Sequence, residues 1–156
     1  MIPAEELRYL ILATQREGSR MFAGILRPLE ITPSQSEVLR VLFDHEPLSL
    51  VALGELLVCE TGSPSRLVNR LVEAGLVEQK QAENDLRKVT LTLTEKGRDV
   101  VLRIIVAEEE IYSSINVLLE GAPVPALIDS LWRLVDGKPA GKALARRKSS
   151  VKSNYL

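Results

Sequence analysis

The chain has 156 residues, 46% of them hydrophobic, and a formal net charge of −1; that is enough for one compact domain with a core and too little for two independent ones. No apolar run approaches the roughly 20 residues needed to cross a bilayer, and the start, MIPAEELRYL, lacks the basic-then-apolar order of a signal peptide, so a cytoplasmic location with no membrane partner is expected. A single cysteine, Cys59, excludes an internal disulfide, and with the single histidine, His45, supplies neither a zinc set nor a His/Cys catalytic network, so no cofactor is expected.

Taken in chain order, Leu7, Leu10, Ile11, Met21, Phe22 and Ile25 recur at helical spacing between Pro3 and about Leu26, and Pro28 closes that segment. Thr32 before Pro33 predicts the capped start of a second helix, with Val38, Leu39, Val41 and Leu42 inward and a stop before Pro47. Ser49 predicts the cap of a third helix over 50–58, with Leu53, Leu56 and Leu57 facing the same core. Then comes TGSPSRLVNRLVEAGLVEQK, Thr61 to Lys80. Ser63-Pro64 is a helix-start signature in which the serine accepts from orphan amides, and Gly75 is the stop. Leu67, Val68, Leu71 and Ala74 are expected to be buried, leaving Ser63, Arg66, Asn69, Arg70 and Glu73 outside.

LVEQKQ and KVTLTLT flank the polar AENDLR, which predicts a two-stranded wing with alternation at Val89, Leu91 and Leu93. Thr94 caps a long helix to about Leu119, and Gly121 with Pro123 separates it from a last helix over 125–135. Val100, Val101, Ile104, Ile105, Ile111, Ile115, Leu118 and Leu119 give the long helix an apolar stripe too wide for one small neighbour, so a homodimer is expected, with the first and last helices in its interface.

From Gly137 onward the chain holds six of its 20 basic residues and no acid, which leaves the body with 14 basic against 21 acidic residues, a balance of −7. Such a composition predicts a basic, flexible tail over 137–156, either a solubilising terminus or an arm for nucleic acid.

Four blocks in order, ITPSQSEVLRVL (31–42), EPLSLVALGELL (46–57), SRLVNRLVEAGLV (65–77) and NDLRKVTLTLTEKG (84–97), resemble the MarR family of bacterial transcription regulators. The resemblance implies a mainly α fold, a winged helix-turn-helix of six helices with a two-stranded β-wing, dimerising through its N- and C-terminal helices. The expected layout is one domain over 1–136, with a DNA-binding lobe at 31–97 and dimerisation helices at 3–27 and 98–136. It also implies double-stranded DNA as partner, as a pseudo-palindromic operator read in successive major grooves, and a pocket for a small aromatic ligand. CETGSP departs from the commoner residues before the reading helix. At the wing tip, Asp85 and Arg87 match the family's Asp-x-Arg pair, in which the acid braces an arginine for the minor groove.

The residue chemistry is compatible with that reading. A helix fits the major groove with its N-terminal turn toward base edges and its amides toward phosphate. Thr61, Ser63 and Ser65 are short enough for close approach; Arg66 and Arg70 reach phosphates or guanine, and Asn69 suits adenine. Arg87 suits a narrow minor groove, with Lys88 adding charge beside it. The bland alternatives are a solvated arginine face and a turn-local Asp85–Arg87 pair.

The peroxide-sensing relatives' N-terminal cysteine is missing, and Cys59 reads as a small apolar residue before the reading helix. Phe22, Phe43 and Tyr112 read as core or interface residues. Glu108, Glu109 and Glu110 read as a solvated face, since successive helical residues point about 100° apart and do not converge on one ion. The leading function is a sequence-specific transcriptional regulator, a repressor modulated by a small molecule; a winged-helix protein-interaction module without specific DNA binding is the alternative. An enzyme is not expected, because no nucleophile with a base and no phosphate-cradling glycine loop stands out.

Overall fold

The computed structural model describes residues 1–59, 63–82 and 85–150, with the side chains of 82–88 and 150 outside that description. Helix α1 (Pro3–Leu26) ends in a 3-10 turn (Arg27–Leu29) and is followed by α2 (Pro33–His45), α3 (Leu50–Gly54) and α4 (Pro64–Glu73). Strands β1 (Val77–Ala82) and β2 (Asp85–Leu93) form an antiparallel wing, and α5 (Glu95–Leu118), α6 (Val124–Val135) and α7 (Pro139–Ser150) complete the fold. Among the described residues no helix is long and apolar enough to cross a membrane.

Local chemistry fixes most of these boundaries. The Thr32 hydroxyl accepts from the Gln35 amide at 3.2 Å while the Gln35 side chain accepts from the Thr32 amide at 2.9 Å, a reciprocal box that starts α2. Ser49 caps α3 through the Ala52 amide, and Thr94 caps α5 through the Gly97 amide. Gly75 takes φ +69° after α4, the left-handed conformation that favours glycine. The beginning of α5 also closes the end of α4: the Thr94 hydroxyl donates to the Gly75 carbonyl at 2.7 Å, and the Lys96 ammonium donates to that of Ala74 at 3.0 Å. This approach is so close that a Cβ on Gly97 would stand 2.0 Å from the Leu76 carbonyl oxygen. Carbonyls left over by one helix are thus satisfied by the next.

Val38, Leu39 and Leu42 of α2, Leu53 of α3, Val68 and Leu71 of α4, Leu91 of β2, and Val101 and Ile104 of α5 form one buried core. Glu46 joins three parts of it, accepting from the Leu93 amide at 2.6 Å and pairing with Arg98. Val77 pairs with Leu93 and Gln81 with Val89, and the register shifts at Gln81/Ala82. An additional backbone bridge from Leu48 to Leu91 ties the segment before α3 to the wing.

Several expectations are corrected. There are seven α-helices rather than six among the described residues, because 139–150, read from composition as flexible tail, is helix α7. Its Ala143 is buried, and a Cβ on Gly141 would meet the Val135 carbonyl oxygen at 2.0 Å, so α7 packs tightly against the end of α6. Helix α3 stops at Gly54 instead of reaching Val58. Ala74 is exposed, whereas Val68 and Leu71 are buried as expected. Phe22 and Phe43 pack against the core as expected, and Tyr112, 56% exposed in the single chain, is outside the core, which leaves the interface half of its expectation standing. Glu108 is no solvated residue: its side chain is only 13% exposed and pairs with Arg40 at 3.3 Å.

Candidate nucleic-acid interface

Helix α4 is amphipathic because Leu67, Val68 and Leu71 recur on one side; the burial of Val68 and Leu71 and the packing of a partly buried Leu67 turn Ser65, Arg66, Asn69 and Arg70 outward. These four exposed side chains line the free face of one helix, with Arg66 and Arg70 one turn apart. Ser65 and Asn69 also line a recess of about 180 Å³ that reaches Leu50 of α3 and Gln79 of the wing. Ser63 stands at the N-cap position, half-buried, but its hydroxyl makes no capping bond; it lies 2.6 Å from the Ser65 hydroxyl instead. Sequence reasoning assigned it the wrong partner. Thr61 lies outside the described residues. Asp85, Arg87 and Lys88 are placed by their backbone on β2, and their side chains lie outside the description.

A second feature lies among α1, α2, α5 and α7. Phe22 of α1, Ser36 and Arg40 of α2, Cys59, Glu108 of α5 and Arg147 of α7 line a cavity of about 340 Å³. Ser36 Oγ and Arg40 Nη1 are buried there without a hydrogen-bond partner among the described residues. Burial pushes the Glu108 carboxyl above its ordinary range despite the Arg40 guanidinium that favours its charged form. Burial also raises the Tyr112 hydroxyl, with the Glu108 charge adding to it. The Cys59 thiol is pushed up to about 12, first by burial and then by the hydrogen bond and charge of Glu37. Sequence reasoning did not single out Ser36, Glu37, Arg40 or Arg147, whose meeting depends on residues distant in the chain. Among the described residues no group of His, Cys, Asp and Glu is arranged to hold a metal ion.

The reading helix, the preceding helix pair and the wing together define a winged helix-turn-helix. Residues 31–97 match the winged helix DNA-binding domain family. The chain is similar to the organic hydroperoxide resistance transcriptional regulator of Bacillus subtilis, 34% identical over 92 residues, which is 59% of this chain. The matched part spans 63% of that relative's length, less than two thirds of it. Among solved structures, a mutant MarR from E. coli complexed with operator DNA superposes with a TM-score of 0.75 at 26% identity, covering 83% of this chain and 94% of that one. BpsR of Bordetella bronchiseptica shares the fold with a TM-score of 0.76 at 24% identity, covering 88% and 99%. By sequence over 31–97 and by architecture the chain is similar to MarR-type winged helix-turn-helix proteins.

Proposed function

We propose that the protein is a sequence-specific DNA-binding transcriptional regulator, acting as a homodimeric repressor whose affinity for its operator changes with a small molecule. The observation that carries the reading is the free face of α4, where Ser65, Arg66, Asn69 and Arg70 stand exposed within the domain at 31–97 that matches DNA-binding winged helices. In this reading Thr61, Ser63 and Ser65 bring the backbone close to the duplex, Arg66, Asn69 and Arg70 meet phosphate or base edges, and Arg87, braced by Asp85 and flanked by Lys88, enters the minor groove. The likeness to a MarR complexed with operator DNA supports double-stranded DNA as the partner.

Homodimerisation is supported by apolar side chains that the single chain leaves exposed: Leu10 and Ile11 of α1, Ile115 and Leu118 of α5, and Ile128 and Leu131 of α6. These helices flank the reading lobe at its two ends in sequence, which suits a layout of dimerisation helices at 3–27 and 98–136 around the lobe at 31–97. The cavity at Phe22, Ser36 and Arg40 offers an apolar wall beside two unpartnered polar atoms, as a small aromatic ligand with a polar substituent requires.

The test is to incubate the full-length protein with a random pool of double-stranded DNA and sequence what it retains. A pseudo-palindromic consensus is expected. Arg66→Ala should weaken binding and relax the preference at one position, and Arg87→Ala should weaken it at unchanged dimer content. If both variants bind as the parent does, this reading surface is wrong. Retention of no sequence by an intact dimer would favour a protein-interaction role, which the acidic body suits.

A further inference from the structure

Glu37 does more than sit beside the cavity. Its carboxylate, on a side chain 13% exposed, accepts from the backbone amides of Val58 and Cys59 at 2.7 and 2.8 Å, through Oε1 and Oε2 respectively. Those amides come from chain that has left α3 and leads toward α4 at Pro64. The Arg147 guanidinium also donates to Glu37 Oε1, at 2.8 Å. One carboxylate therefore holds the approach to the reading helix from one side and the last turn of α7 from the other. Charge-assisted bonds of this kind are shorter and stronger than neutral ones, and a carboxylate offers enough lone pairs for all three donors.

A second tether lies close by. Arg146 pairs at 3.1 Å with Glu55, the residue that ends α3, so α7 holds the α3–α4 connection directly at its beginning and, through Glu37, further along. At its other end α7 is fixed to α6 by the close approach at Gly141 and the burial of Ala143. Helix α6 in turn carries the exposed apolar residues Ile128 and Leu131. A path of packed and ion-paired contacts thus runs from α6 through α7 and Glu37 to the Val58 and Cys59 amides, on the chain that leads toward α4.

We infer that Glu37 is a positioning residue for the reading helix and that Arg147 sets it, so that α7 is a strap holding Val58 and Cys59, on the approach to α4, in register with the dimerisation helices. The inference rests on the DNA-binding reading above. Arg147 lines the cavity as well, so a molecule entering there meets the strap directly. Loosening α7 leaves Glu37 with its two amides but without the cation that fixes its direction, and the turn gains freedom that DNA binding must then remove.

The experiment compares the full-length parent with Arg147→Ala and Arg147→Lys. Hydrogen–deuterium exchange of the free protein reads the amides of Val58 and Cys59, and anisotropy with the double-stranded DNA that the parent retains from a random pool reads affinity at several salt concentrations. For Arg147→Ala, exchange at these amides should rise and affinity should fall, each about fivefold, as expected for loss of a partly buried ion pair. The dimer and its melting temperature should change little, and Arg147→Lys, which keeps the charge, should restore most of both effects. The salt slope should stay that of the parent, whereas a direct phosphate contact by Arg147 would lower it by about one. Unchanged exchange at Val58 and Cys59 overturns the inference whatever the affinity does, and raised exchange with parental affinity overturns the link to DNA reading. Retention of no DNA by the parent counts against the DNA-binding reading, while the exchange result still decides whether Arg147 holds the turn.

Discussion

The Cys59 thiol should be sluggish, and the size of the effect follows from its surroundings. Burial comes first, and the adjacent Glu37 carboxylate adds a hydrogen bond and a repelling charge, moving the thiol from an ordinary 9.0 to about 12. Only the thiolate reacts, so three units lower its population about a thousandfold at any pH well below 9. A more basic thiolate is a better nucleophile, and with a Brønsted coefficient of about 0.4–0.5 three units return about 15- to 30-fold. Cys59 should therefore react about fiftyfold more slowly than an unhindered cysteine. Iodoacetamide alkylation at neutral pH, followed by intact mass against a cysteine peptide, measures this directly. Glu37→Gln, which removes the charge but not the burial, should recover part of the rate. Alkylation as fast as that of the peptide, or stoichiometric oxidation by an organic hydroperoxide within minutes, would refute the reasoning. The outcome bears on function because a similar protein is a regulator of organic hydroperoxide resistance; a slow Cys59 means that any such signal reaches this chain by another route.

Further outcomes test other parts of the account. Gly97→Ala places a Cβ 2.0 Å from the Leu76 carbonyl oxygen, backbone against backbone, and should destabilise the protein by about 1–3 kcal/mol in urea titration; a change within about 0.5 kcal/mol, typical of a neutral surface site, would show that the α4–α5 junction gives way easily. Glu108 is an acid whose folded value is raised, mainly by burial, so the folded state binds the extra proton; its contribution to stability should be full below the ordinary value of 4.5 and be lost as pH climbs from there through the raised value. Glu108→Gln should flatten that part of a melting-temperature profile, and an unaltered slope would assign it to other groups. Leu131→Asp puts a charge on the exposed apolar face of α6 and should shift sedimentation from dimer to monomer with loss of DNA binding; a stable dimer would place the interface elsewhere.

Much of the architecture was legible because its signals are local. The Thr32, Ser49 and Thr94 caps, Gly75 and the alternation through Leu91 and Leu93 each act within a few residues, and they fall where expected. Helix α7 is hidden by its charge and low apolar content, which read as a solvated tail, while its Ala, Leu, Lys and Arg, strong helix formers, and Pro139 at its start favour the helix that forms. Leu56 and Leu57 keep the helical spacing past Gly54, where α3 ends. Beyond that end the chain is held by Glu37, 21 and 22 residues away from the Val58 and Cys59 amides it binds. The pairings of Arg40 with Glu108 and of Arg147 with Glu37 are long-range in the same way, and no periodicity encodes them. The outward set on α4 was legible from amphipathicity alone, although the Ser63 hydroxyl turned to Ser65 rather than to the helix amides.

The central claim is that α4 and the wing read a particular DNA sequence. Fluorescence anisotropy of the full-length protein on the duplex it retains from a random pool, against a scrambled duplex of equal composition over a range of salt, tests it most directly. The account predicts clear preference for the retained duplex and an affinity that falls as salt rises, since phosphate contacts contribute to binding. Equal affinity for both duplexes, or an affinity indifferent to salt, would contradict it.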